Sequence, residues 1–62
     1  MNPGDVVMIY TDPMNLTQPE GQAKLVELTT HYIYDIYGGM ELWYVEFTDQ
    51  PGKLYPRLIK IL

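Results

Sequence analysis

Apolar positions along this chain fall in short β-branched and aromatic runs, and Gly and Pro cut one run from the next. The first run, DVVMIYTD over residues 5–12, predicts a strand. DPMNLTQPEG follows, with Pro13 and Pro19 fixing φ and Gly21 free to turn, and predicts a loop of about ten residues. QAKLVELTTHYIYDIY then runs up to Gly38-Gly39. Its first half contains helix formers, but Thr29, Thr30, Tyr32, Ile33 and Tyr34 crowd a helix with branched and aromatic side chains, so strand is preferred. MELWYVEFTD after the glycines predicts another strand, and Gln50-Pro51-Gly52 carries the signature of a type II turn. KLYPRLIKIL closes the chain, with Pro56 suited to an edge, a bulge or a short 3₁₀ turn.

Pairing follows if Gly38-Gly39 forms a two-residue hairpin loop, where positive φ favours glycine. Tyr37 then pairs with Met40, Tyr34 with Trp43, Tyr32 with Val45 and Thr30 with Phe47, and Leu28 and Val26 extend the same buried face. The opposite face pairs Asp35 with Leu42, Ile33 with Tyr44 and His31 with Glu46. A slip of one residue would exchange Trp43, Val45 and Phe47 for Leu42, Tyr44 and Glu46 inside, a poorer core. This register leaves Ile33, Tyr37, Met40, Leu42 and Tyr44 on the outer face near the glycines. Together they form a candidate partner-binding patch of several hundred Å². The competing reading is that the hairpin curls back over the body, or that its tyrosines lie flat with wet hydroxyls.

Four to five short antiparallel strands, a long central hairpin and tight later turns predict an all-β fold, a small SH3-like barrel. The segments GDVVMIYTDP, PEGQAKL, LWYVEF and YPRLIK resemble small stand-alone SH3-like barrel proteins of bacteria and their phages, and more distantly KOW and Tudor-type modules. Gly4, Asp12-Pro13, Pro19-Glu20-Gly21, Trp43, Arg57 and Ile59 carry the resemblance, which spans nearly the whole chain and implies a fold rather than a function. Peptide-reading SH3 domains expose a tryptophan at the start of a strand, whereas Trp43 alternates in phase with Val45 and Phe47 and is assigned to the core. A Tudor-type aromatic cage would draw on Tyr10, Tyr32, Tyr34 and Trp43, but no spacing demands one.

Composition narrows the function classes. Sixty-two residues make one domain, and a chain this short buries only about 60% of its unfolded surface. The chain has neither cysteine nor serine. Disulfide bridges, thiolate metal sites and the commonest nucleophiles are thereby excluded, and the one histidine lacks a recognisable catalytic partner. The expected protein is not an enzyme, with no cofactor and no metal site. No apolar run is long enough to cross a membrane and no signal peptide is visible, so a cytoplasmic protein is expected.

A net charge of −4 repels phosphate and anionic lipid at long range. Lys53, Arg57 and Lys60 nevertheless cluster in the last ten residues and define the alternative, a KOW-like nucleic-acid-binding module. The preferred reading is a protein-interaction module that binds a protein partner, or its own copy as a homodimer, through the aromatic hairpin. A narrower version is an acidic phage-type inhibitor that occupies the basic surface of a host nucleic-acid enzyme.

Overall fold

A computed structural model describes residues 1–34 and 38–60, with the backbone alone for 30–34. Four strands form one sheet: β1 (Val6–Asp12), β2 (Thr17–Tyr34), β3 (Gly38–Phe47) and β4 (Tyr55–Lys60). They are ordered β1-β2-β3-β4 and every neighbouring pair is antiparallel. The sheet curls into a half-barrel consistent with a small SH3-like barrel, and there is no helix among the described residues.

The first connection is shorter than the ten-residue loop expected from the sequence, because β2 begins at Thr17. Pro19 lies opposite Tyr10, in a part of β2 that has only β1 as a neighbour, so its missing N–H leaves no central ladder broken. The register then shifts from Ile9–Gly21 to Tyr10–Pro19, which makes Glu20 the extra residue of a bulge. Gly21 supports the bulge with φ +138°, a conformation that other residues rarely adopt. At the other end of the chain, Gly52 has φ +90°, as the expected type II turn requires, and Pro56 falls on the edge strand β4.

The central hairpin departs from the predicted register. Gly38 and Gly39 are strand residues opposite Tyr34 and Ile33, and the connection falls at 35–37, outside the described residues. Trp43 faces Leu28 rather than Tyr34, Val45 faces Leu25 rather than Tyr32, and Phe47 faces Ala23 rather than Thr30. Most of the displacement follows from Gly38 and Gly39 being paired strand residues, and two further bulges in β2, which leave Val26 and Thr29 without partners on β3, add one residue each. Each bulge shifts the alternation of β2 by one residue, so a strict period of two misassigns its faces. Thr29 offsets part of the disruption by donating its hydroxyl to the Leu42 carbonyl at 2.8 Å.

Trp43, Val45 and Phe47 are buried as expected, and their companions are Ile9, Ala23, Leu25 and Ile59. Val26 is only partly buried and Leu28 is 43% exposed, so neither is the core residue that the predicted pairing made it. Each fully buried aliphatic or aromatic side chain contributes about 1.5–3 kcal/mol. Phe47 and Tyr55 meet edge to face with centroids 5.7 Å apart, sealing one end of the core. Trp43 satisfies its indole N–H on Glu41 Oε1 at 2.9 Å, and no buried side-chain polar atom among the described residues lacks a partner.

Candidate functional site

The outer face of the β3–β4 ladder is apolar. Leu42 pairs with Leu58 and Tyr44 with Pro56, four side chains that share one side because directly opposed residues in an antiparallel pair point the same way. Tyr44 and Leu58 are 40% and 37% exposed, Pro56 is exposed and Leu42 is half-buried. Leu42 and Tyr44 were both expected on this face. The other three candidates fare differently. Met40 is buried at 4% exposure, enclosed where β3 is flanked by Tyr32 of β2 and Lys60 of β4. Ile33 lies opposite Gly39 instead of Tyr44, with only its backbone described, and Tyr37 is outside the described residues. The pairing of Gly38 and Gly39 with Tyr34 and Ile33 carries Ile33 away from Tyr44, where Glu27 now stands.

A second apolar region was not legible in the sequence. Curling brings the edge strands β1 and β4 alongside each other, yet among the described residues no ladder joins them. A cleft of about 270 Å³ opens along this seam, with Val7 and Ile59 of the core at its base and Met8, Tyr10, Leu16, Leu58 and Lys60 around it. It continues into a broader trough of about 540 Å³ that reaches Leu42, Pro56 and Arg57 and shares Tyr10, Pro13 and Leu58 with the cleft. Met8 and Leu16 are 39% and 49% exposed. Leu16 takes φ +56° and Gln18 φ +59° in the β1–β2 connection and at the start of β2. That left-handed conformation costs a side-chain-bearing residue about 1–2 kcal/mol relative to the right-handed one. A sequence signal did exist: between Asp5 and Asp12 the first strand carries neither charge nor proline.

The three C-terminal cations do not converge. Arg57 makes a two-pronged ion pair with Glu20, Nε to Oε1 at 3.0 Å and Nη2 to Oε2 at 3.1 Å. Its guanidinium also lies 5.6 Å from the Phe47 ring centre and 5.5 Å from that of Tyr55. Lys60, three residues on and therefore on the other side of the strand, donates to the Met14 carbonyl at 3.3 Å. Lys53 stands exposed in the β3–β4 connection. The remaining cation, Lys24, pairs with Glu46 at 3.4 Å, taking the cross-strand position the sequence reading gave to His31, which lies opposite Glu41.

Two carboxyl groups are held below their ordinary pKa. Hydrogen bonds from the Asn15 side chain and backbone lower Asp12, with smaller help from Met14 and Thr17. The Gly52 N–H, at 2.8 Å, is the main cause for Glu46, and Lys24 adds to it. Both arrangements anchor turns. No group of three His, Cys, Asp or Glu side chains able to hold a metal ion occurs among the described residues. No protein-family model, characterised protein or solved structure matches this chain.

Proposed function

We propose that this chain is a non-enzymatic protein-interaction module, docking on a protein partner or on a second copy of itself. The observation that carries this reading is the pairing of Leu42 with Leu58 and of Tyr44 with Pro56 on one outward face. These side chains leave water only if something covers them, and tyrosine is a residue type that concentrates binding energy at interfaces. Nucleic-acid recognition draws less support, since Arg57 is already paired and Lys53 and Lys60 are apart from it. A cytoplasmic setting belongs to this proposal, and a chain without cysteine is compatible with a reducing compartment.

Light scattering across a concentration series tests the reading, with wild type compared against Leu42→Thr combined with Tyr44→Lys. Leu42 is half-buried and Tyr44 is 40% exposed on the outer face, and neither belongs to the core cluster, so the variant is expected to fold with wild-type circular dichroism. Self-association should disappear in the variant. If wild type is monomeric, the comparison moves to proteins captured from a cell extract. A folded variant that still associates, and still captures the same proteins, places the interface elsewhere.

A further inference from the structure

The two edges of the half-barrel are protected unequally. β4 carries Pro56, Arg57 and Lys60, the residue types that discourage strand pairing at an edge. β1 carries no such device between Asp5 and Asp12, and none of the described strands other than β2 pairs with it. The seam beside it has an apolar base, Val7 and Ile59, and an apolar rim that includes Met8 and Leu58. Leu16, held in a left-handed conformation with its side chain half exposed, adds to that rim at an energetic cost that solubility alone does not explain.

Resting on the reading of this chain as an interaction module, we infer that the seam receives an extended peptide segment of another protein, which adds as a strand to the free edge of β1. Three observations select this occupant. At about 270 Å³ the cleft is smaller than the 300–1,000 Å³ usual for small-molecule sites, but it suits a few alternating side chains. Among its described residues a second copy of this chain offers the edges of a complete sheet, which bring their whole body with them and do not enter a cleft between two strands. Among the described residues Lys60 is the only charged side chain lining the cleft, and its bond to the Met14 carbonyl uses one of three N–H groups. The segment therefore combines apolar residues at every second position with a carboxylate that meets Lys60. Its backbone N–H and C=O groups pair with β1, while alternate side chains cover Val7 and Ile59.

Selection from a phage-displayed library of random linear peptides supplies the probe, with the winning peptides synthesised and titrated by fluorescence anisotropy. Winners should be apolar at alternate positions with an Asp or Glu at one end. Methylating the backbone nitrogens of one alternate set should weaken binding about thirtyfold or more, because several main-chain bonds to β1 are lost, while methylating the other set should change it less than about threefold. Met8→Arg should abolish binding in a protein of unchanged circular dichroism, Lys60→Glu should reverse the preference for acidic peptides, and Tyr44→Lys should leave binding intact. Failure to select any peptide, equal tolerance of both methylation sets, or binding insensitive to Met8→Arg overturns the inference. So does a wild-type dimer abolished by Met8→Arg, which would identify a second copy as the occupant. Peptides lost with Tyr44→Lys instead would keep the interaction-module reading and reject the seam.

Discussion

Glu20 and Arg57, 37 positions apart, meet because a bulge turns one toward the other. Glu20 has no partner on β1, since the register passes from Gly21 to Pro19, and its carboxylate swings across to the guanidinium on β4. The contact joins the start of β2 to the far edge of the sheet and helps to hold the curl.

Both side chains are about 30% exposed, so solvent screens the pair and its own contribution is small, about 0.2–1 kcal/mol. Arg57 also lies on Phe47 and Tyr55, contacts of about 0.5–1 kcal/mol at exposed sites. Urea unfolding should show Glu20→Gln costing under about 1 kcal/mol and Arg57→Ala about 1–2 kcal/mol. Equal losses from the two would mean the rings contribute nothing.

The hairpin register predicts opposite outcomes for two leucines of β2. Leu25 is fully buried against Val45, and Leu25→Ala should cost about 2–5 kcal/mol. A protein of this size is stable by about 3–9 kcal/mol, so that loss approaches unfolding. Leu28→Ala, at a site 43% exposed, should cost under about 1 kcal/mol. Calorimetric melting temperatures check the contrast, and the reverse order would restore the Gly38-Gly39 hairpin loop.

Acid should weaken the fold in a way assignable to Asp12 and Glu46. Each has a folded pKa below its ordinary value, 3.8 and 4.5 respectively, and so binds fewer protons when folded than when unfolded. Their stabilisation is present above those values and is lost as pH falls through the lower folded ones. Melting temperature measured from neutral pH down to about pH 2 should fall less steeply below pH 4.5 in Asp12→Asn with Glu46→Gln than in wild type. Parallel curves would remove both groups from the account.

Gln18 offers a stabilising change. Its left-handed backbone suits glycine, and its side chain is exposed, so Gln18→Gly should raise stability by up to about 1 kcal/mol in chemical denaturation. Gly21→Ala should do the opposite, by strain alone, since an added Cβ meets only Phe47 Cδ1 at an ordinary 3.9 Å.

Where alternation is uninterrupted, the sequence was a sufficient guide. β3 has no bulge, and Trp43, Val45 and Phe47 point inward while Leu42 and Tyr44 point outward, as their spacing alone implies. β2 defeated the same reasoning because Val26 and Thr29 are surplus residues that nothing in their identity marks. Glycines 38 and 39 carry a turn signature, yet both are strand residues, paired with Tyr34 and Ile33, and this moves the whole hairpin register. The seam was hidden for a different reason. It exists only once Met8 and Leu58, 50 positions apart, are brought together by curvature, a property of the whole sheet rather than of any local pattern.

Those surplus residues in β2 separate two properties usually set together. Removing Val26 would leave Leu25 on Val45 and Glu27 on Tyr44, as adjacent rungs of an ordinary ladder. What would vanish is the local bend, letting the sheet relax outward and β1 draw away from β4. The width of the gap between the two edges is thus adjustable by one-residue deletions that disturb no partner choice.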